Sequence, residues 1–176
     1  FLSLGGTITM VPSAGGGIAP KLGAAELVAS VPELGDVGDI DARSPFRLPS
    51  PSLTTGNLVD VATTLNQAFG EGFDGAVVIQ GTDTIEESAF LLDLLVDSDK
   101  PVVMTGAMRG ADAPGAEGPA NLLSAAICAA SPDTRGLGTL AVLNYDIHAA
   151  RFVQKSHTAL PSAFLSPLVG PLGTMI

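Results

Sequence analysis

The chain has 176 residues, of which 46% are hydrophobic and 15% are charged. This length fits one domain of ordinary size, and the apolar content is that of a globular protein with a buried core rather than a disordered chain. Eight basic residues against eighteen acidic ones leave a net charge of -10, which opposes binding to nucleic acid or to an anionic membrane surface.

Predicted strands and helices alternate along the chain. Apolar runs, typical of strands buried on both faces, cover residues 1–4, 76–79, 102–104 and 140–143. Helices are predicted from the spacing of Leu58, Val61, Leu65 and Phe69, from that of Phe90, Leu91, Leu94 and Leu95, and from the Ala- and Leu-rich segment 120–130. This alternation predicts a three-layer α/β fold with a doubly wound, mostly parallel sheet, of the Rossmann-like or flavodoxin-like kind.

The predicted domain covers residues 1–160. Residues 161–176 lose the alternation and are predicted to be a linker. Within the domain, residues 11–20 carry three successive glycines, a composition that favours a mobile lid.

The single cysteine and the two histidines have structural explanations. Cys128 lies in an apolar stretch and is predicted to be a small buried hydrophobe. A lone thiol favours a reducing, cytoplasmic compartment, although a periplasmic or secreted location stays open. His148 and His157 lack supporting ligand spacing, so no metal site is predicted, and the glycines at the first strand end do not form a dinucleotide fingerprint. We expect no cofactor.

Two glycine-threonine pairs directly follow predicted strands. Gly6 and Thr7 follow the first strand, and Gly81 and Thr82 follow the strand over residues 76–79. Ligands of open α/β sheets bind outside the carboxyl ends of the strands, so both hydroxyls are predicted to face one cleft. Thr7 alone is better explained by a tight turn in which it caps backbone groups, whereas helix capping leaves Thr82 less explained.

The residues after Thr82 predict a helix start. Asp83 or Thr84 is expected to cap that helix, with Glu86 and Glu87 in its first turn, where carboxylates favour the positive end of the helix. Asp83 also has the chemistry to hold the ammonium group of a ligand.

A threonine hydroxyl needs a base or a nearby positive charge before it can act as a nucleophile. Of the three lysines, Lys21 and Lys100 lie where surface roles explain them. Lys155 lies in the alternating segment 151–156, which predicts a strand. It is either an ordinary lysine of an edge strand or the partner of the two threonines.

Several segments together resemble the bacterial L-asparaginase family. They are Gly5-Gly6-Thr7-Ile8, Gly81-Thr82-Asp83-Thr84 with Glu86-Glu87, the run from Pro101 to Arg109, Gly118-Pro119-Ala120-Asn121-Leu122, and Gly170-Pro171-Leu172-Gly173. The resemblance runs in order over essentially the whole chain and implies the N-terminal domain of a threonine-dependent L-asparaginase. In that family a C-terminal domain, absent from these 176 residues, supplies subunit contacts and an acidic substrate contact.

The resemblance implies a role for each matching residue. Thr7 matches the nucleophile, while Thr82, Asp83 and Lys155 match a polar network for proton transfer. Ser50 matches the serine that receives the substrate α-carboxylate, with Ser52 as its rival in a loosely aligned segment. Substrate binding is therefore expected at Ser50, Thr82, Asp83, Gly6 and Gly81, with backbone N–H groups near Gly6 or Thr82 holding the oxyanion.

The sequence departs from the family pattern at four places. Leu4 stands where a threonine is usual, and Gln80 stands where a histidine is common. The lid position that often carries a tyrosine falls near Gly17, and no tyrosine occurs in residues 11–20. Pro51 replaces a side chain that elsewhere can reach the substrate amine.

The implied activity is hydrolysis of L-asparagine to L-aspartate and ammonia through an acyl-enzyme, in a homo-oligomer that is a dimer or a tetramer. Three alternatives stay open: a glutaminase-asparaginase, the ammonia-supplying subunit of a tRNA amidotransferase, and a non-catalytic amino-acid-binding or assembly domain. The acidity of the chain disfavours the tRNA-linked reading.

Overall fold

The fold alternates strands and helices, as predicted. A computed structural model describes residues 1–12, 18–20 and 22–176. The strands are β1 (Leu2–Ser3), β2 (Met10–Pro12), β3 (Ile18–Pro20), β4 (Ala76–Ile79), β5 (Val102–Thr105), β6 (Thr139–Leu143), β7 (Asp146–Ala149), β8 (Gln154–Lys155), β9 (Phe164–Leu165) and β10 (Gly173–Thr174). The α-helices are α1 (Ala24–Ala29), α2 (Thr55–Glu71), α3 (Ile85–Leu95) and α4 (Gly118–Ala130).

The central sheet has the strand order β1-β4-β5-β6-β7-β10. Strands β1, β4, β5 and β6 run parallel, whereas β7 and β10 continue the sheet antiparallel at one edge. The carboxyl ends of the four parallel strands therefore lie along one edge of the sheet, which is where ligands of such sheets bind. The predicted mostly parallel sheet is confirmed.

Alternate side chains of the sheet enter two separate cores. Val78 of β4 packs in the core that includes residues of α2 and α3. Its neighbours Val77 and Ile79 pack in the core that includes Leu27 of α1 and Leu122 of α4. Helices thus cover both faces of the sheet, and the three-layer α/β fold is confirmed.

Helix α3 is present, but its buried face differs from the most apolar positions of its sequence. The side chains that enter the core are Ile85, Ser88, Ala89 and Leu92. Phe90 and Leu94, which mark the helix by their spacing, are 47% and 65% exposed. Their apolar character signals the helix without identifying the face that packs.

The segment before α2 runs along the outer edge of β1. Leu2 forms an isolated parallel bridge with Arg43, and the backbone N–H of Leu48 donates to the carbonyl of Leu4 at 2.9 Å. This pairing carries the chain to a 3-10 turn at Ser50–Ser52, beside the carboxyl end of β1.

A second, two-stranded sheet carries Lys155. Strand β8 pairs antiparallel with β9, and Lys155 lies opposite Phe164. The strand predicted over residues 151–156 is therefore shorter, at Gln154–Lys155. Residues 161–176 supply β9 and also β10, which pairs with β7 at the edge of the central sheet; their role as a linker to a further domain stays a prediction.

The remaining sequence predictions concern the lid, the cysteine and the membrane. Strands β2 and β3 pair with each other, and residues 13–17 of the predicted lid lie outside the described residues.

Cys128 is buried in α4, as predicted, and this burial raises the pKa of its thiol to about 11. None of the helices in the described ranges is long and apolar enough to cross a bilayer.

Candidate active site

Two glycines bring the ends of β1 and β4 into backbone contact. Gly6 has a φ angle of 97°, in the region that disfavours side chains. A Cβ atom at Gly6 would lie 2.2 Å from the backbone nitrogen of Gly81. The loops that carry Thr7 and Thr82 can approach this closely because Gly6 lacks a side chain.

The turn of Ser50 packs against the other side of Gly81. A Cβ atom at Gly81 would lie 2.9 Å from the Ser50 Oγ atom. Ser50 is 2% exposed, and its hydroxyl has no hydrogen-bond partner among the described residues. Its rival Ser52 is exposed. Because a buried hydroxyl without a partner is costly, Ser50 is the better candidate to receive a ligand oxygen.

Lys155 reaches the turn at the end of β4. Its Nζ atom donates to the Thr82 Oγ1 atom at 2.9 Å and to the Asp83 Oδ1 atom at 2.6 Å. The Lys155 side chain is only 10% exposed, whereas that of Asp83 is 64% exposed. The second carboxylate oxygen of Asp83 forms no hydrogen bond to a described residue, so it is open toward the solvent side of the site.

Thr7 begins a 3-10 turn, Thr7–Thr9, directly after Gly6. The backbone N–H and the hydroxyl of Thr9 both donate to the Gly6 carbonyl, at 3.0 Å and 2.7 Å, and so fix the turn. Thr7 is half-buried, while Thr82 is buried. Within the described part of the chain, the Thr7 hydroxyl has no hydrogen-bond partner and is therefore free to meet a ligand.

Two successive hydrogen bonds link the end of β4 to Ser50. Gln80, which is buried, donates from Nε2 to the Thr84 hydroxyl at 3.1 Å, and this hydroxyl donates to the Ser50 carbonyl at 3.2 Å. The sequence indicated Thr84 as a helix cap, and it is the N-cap residue of α3, although its hydroxyl makes no capping bond. Nothing in the local pattern revealed the contact between Thr84 and Ser50, which are 34 positions apart.

Glu86 makes a second contact that the sequence did not reveal. It lies in the first turn of α3, as predicted, together with Glu87. Its Oε2 atom accepts the backbone N–H of Lys155 at 2.5 Å. A glutamate after a helix cap is well explained by the helix dipole alone, so its position in sequence gives no sign of this long-range bond.

The histidines form no hydrogen bond to the threonines, Asp83 or Lys155. His148 is buried, with Nδ1 2.9 Å from the Ser166 hydroxyl oxygen, and burial lowers the pKa of its imidazole although Asp146 raises it. His157 accepts weak bonds from the backbone of its own loop. Among the described residues, no three His, Cys, Asp or Glu side chains come together in a way that could hold a metal ion.

The comparisons with known proteins point to one family. The family model described as Asparaginase, N-terminal matches residues 1–176. A probable L-asparaginase of Deinococcus radiodurans is 42% identical over 98% of this chain and 52% of its own length. A glutaminase-asparaginase of Pseudomonas fluorescens is 35% identical over 100% of this chain and 50% of its own length.

A solved structure agrees with this grouping. The crystal structure of a probable cytoplasmic L-asparaginase from Campylobacter jejuni superposes with a TM-score of 0.89 at 35% identity, covering 99% of this chain and 53% of that one. The chain thus spans about half the length of the relatives it matches. Because the family model matches every residue, the chain belongs to the asparaginase family and corresponds to its N-terminal domain.

Proposed function

We propose that this domain carries the nucleophile and the proton-transfer network of an amidohydrolase that converts L-asparagine to L-aspartate and ammonia. The observation that supports this most strongly is the pair of bonds from Lys155 Nζ to Thr82 Oγ1 and Asp83 Oδ1. A lysine that contacts a threonine hydroxyl at the carboxyl edge of the sheet is the arrangement that hydroxyl activation needs. Relatives named L-asparaginase and glutaminase-asparaginase support the same reaction class.

In the proposed reaction, the Thr7 hydroxyl attacks the carboxamide carbon of the substrate. The hydroxyl proton is passed on through the polar network of Thr82, Lys155 and Asp83. The tetrahedral intermediate expels the amide nitrogen as ammonia after protonation, which leaves an ester on Thr7. Water then attacks this ester, releases aspartate and restores the hydroxyl. General acid-base assistance of this kind is worth ~10²–10⁴ in rate.

Backbone donors are proposed to stabilise the oxyanion of the tetrahedral intermediate. Gly6 and Gly81, which have no side chains, stand next to Thr7 and Thr82 where the two loops meet. Removing one such donor typically costs about 2.7–4 kcal/mol of transition-state stabilisation. The absence of side chains at Gly6 and Gly81 therefore serves both the close packing and the chemistry.

Two groups suit the ends of a free α-amino acid. The unpartnered Ser50 hydroxyl is proposed to donate to the substrate α-carboxylate, and the open oxygen of Asp83 to accept from the α-ammonium group. Asparagine and glutamine differ by one methylene, which changes discrimination by only ~1–3 kcal/mol. A relative named glutaminase-asparaginase makes glutamine the second substrate to test.

One contact favours a different assignment of the nucleophile. Lys155 bonds to Thr82 rather than to Thr7, so Thr82 has the base that an attacking hydroxyl requires. Against this, Thr82 is buried and its hydroxyl is already engaged, while the Thr7 hydroxyl is free among the described residues. We therefore propose Thr7 as the nucleophile and Thr82 as its link to Lys155.

We propose a homo-oligomer in the cytoplasm, in line with the relative named cytoplasmic. Sedimentation of the full gene product, and fractionation of the cells that make it, test these two points. A non-catalytic amino-acid-binding domain is the principal rival, and it differs from an amidohydrolase in binding L-asparagine without releasing ammonia.

The decisive experiment measures ammonia release from L-asparagine and L-glutamine by the full gene product and by its Thr7→Ala variant. We expect release by the wild type and a loss on the order of 10⁴-fold or more in the variant, since the covalent step is lost. Thr63→Ala, an exposed helical threonine, is the control and should match the wild type. If the wild type binds L-asparagine but releases no ammonia, the protein is a non-catalytic amino-acid-binding protein and this proposal is wrong.

A further inference from the structure

Strand β8 holds Lys155 with little support from the central sheet. It has two residues, and within the described ranges it pairs with β9 alone, which also has two residues. Lysine has a long side chain with about 2 kcal/mol of rotamer entropy, so its ammonium group stays in one place only where its backbone is also fixed. Something outside β8 must therefore fix the position from which Lys155 reaches Thr82.

Glu86 provides that attachment. Its Oε2 atom accepts the Lys155 backbone N–H, across 69 positions of sequence. Glu86 follows the Thr82–Thr84 turn within the first turn of α3. One rigid segment thus holds Lys155 twice, at the backbone through Glu86 and at the ammonium group through Thr82 and Asp83.

The neighbouring glutamate lacks this contact. Glu87 is exposed and makes no hydrogen bond to a described residue, whereas Glu86 is half-buried against β8. Both residues lie in the first turn of the same helix, so the helix dipole favours both carboxylates to a similar extent. The two glutamates differ in that only Glu86 accepts a hydrogen bond from the Lys155 backbone among the described residues. A hydrogen bond to a charged carboxylate is stronger than one to a neutral acceptor.

We propose that Glu86 is a positioning residue: its carboxylate fixes the Lys155 backbone so that the ammonium group stays on Thr82 and Asp83. This inference rests on the proposed function. It predicts that Glu86 acts on the reaction only through Lys155 and never touches the substrate. A displacement of about 1 Å in a catalytic group can cost ~10²-fold in rate, so a modest relaxation of β8 would be visible in kinetics.

The kinetic experiment compares Glu86→Ala, Glu86→Gln and Glu87→Ala in the full gene product with L-asparagine. We expect Glu86→Ala to lower kcat by roughly 10- to 10²-fold, with a much smaller change in KM. Glu86→Gln should recover most of the loss because its amide oxygen still accepts the N–H bond, and Glu87→Ala should match the wild type. Equal losses in Glu86→Ala and Glu86→Gln, or wild-type rates in Glu86→Ala, would overturn the proposal.

A double-mutant cycle separates positioning from a general loss of structure. In a Lys155→Met background, Glu86→Ala should lower the residual rate by less than about twofold, because the two residues act as one unit. If the full effect of Glu86→Ala persists without the lysine, Glu86 does not act through Lys155.

A readout that needs no activity keeps the inference separate from the proposed function. Amine acetylation of the folded protein, followed by peptide mass spectrometry, should modify Lys155 faster in Glu86→Ala than in the wild type or Glu87→Ala. Lys100, whose Nζ atom donates to the carbonyls of Phe69 and Phe73, is the internal reference and should not change. If the protein releases no ammonia but Lys155 is still labelled faster in Glu86→Ala, only the proposed function is contradicted. If Glu86→Ala leaves the labelling of Lys155 unchanged, the role of Glu86 is contradicted.

Discussion

Gly6 is the residue on which the geometry of the candidate site depends most directly. Its φ angle of 97° and its contact with Gly81 both exclude a side chain, so two independent constraints act at one position. Gly72, which ends α2, also has a positive φ angle, but a Cβ atom there would meet nothing within 4 Å. A side chain at Gly72 would therefore introduce backbone strain alone, whereas one at Gly6 would introduce both backbone strain and a steric clash.

We predict that Gly6→Ala lowers the free energy of unfolding by about 3 kcal/mol or more, against ~1–2 kcal/mol for Gly72→Ala. The second substitution introduces only the strain of the left-handed conformation, whereas the first also forces the two loops apart. Urea unfolding of both variants gives the comparison. Equal costs would mean that the β1 and β4 loops separate easily, which would contradict a closely packed site.

Residue types and strand ends pointed to several residues of the candidate site, and the family resemblance gave them their expected roles. Thr7, Thr82 and Asp83 were predicted because each follows an apolar run and a glycine, and the structure brings the Thr7 and Thr82 loops together through Gly6 and Gly81. Taken alone, the pattern around Lys155 favoured an ordinary lysine of an edge strand, since its contacts with Thr82 and Asp83 span more than 70 positions. Long-range bonds of this kind leave no local signature, and for this reason Glu86 was seen only as a helix-terminal charge.

At the scale of elements, the antiparallel edge of the sheet contains a buried titratable group. His148 of β7 is 1% exposed, and its Nε2 atom has no partner among the described residues. Burial lowers the pKa of the imidazole below its ordinary value of 6.5, and the raising effect of Asp146 is smaller. The folded protein therefore favours the neutral ring, as a buried histidine without a charged partner should.

This burial predicts a pH-dependent stability. As the pH falls below 6.5, His148 binds a proton in the unfolded chain but stays neutral in the folded protein. The free energy of unfolding therefore falls until the pH reaches the lowered pKa of folded His148. The free energy of unfolding should change by at most ~1.4 kcal/mol per pH unit from this histidine, and it should not change with pH above the pKa of the unfolded histidine. Chemical unfolding of the wild type and of His148→Gln at several pH values measures it. His157→Gln serves as the control, and a wild-type slope in His148→Gln would assign the effect to carboxylates.

The elements themselves were predicted more completely than their faces. Apolar runs identified the parallel strands, because strands buried on both sides need no alternation. In α3, the exposed Phe90 and Leu94 show that apolar residues do not always mark the packed face. The helix buries Ser88 and Ala89 instead, because small side chains let it approach the sheet closely.

For the molecule as a whole, the sequence indicated the α/β class, the net negative charge and the family. The relatives are about twice as long as this chain, so the activity belongs to the proposal for the full gene product. The chain has only three lysines, and one of them, Lys155, lies in the candidate site. The Lys155 side chain is 10% exposed, and its placement beside Thr82 and Asp83 agrees with the proposed functional role.

The central claim is that the Thr7 hydroxyl forms a covalent ester with the substrate. The most direct test is acid quenching of the full gene product during turnover of L-asparagine, followed by proteolysis and mass spectrometry of the peptides that carry Thr7 and Thr82. We expect an adduct equal to the substrate minus ammonia on the Thr7 peptide of the wild type, and none in Thr7→Ala. An adduct on the Thr82 peptide would contradict it and make the hydroxyl that Lys155 contacts the nucleophile.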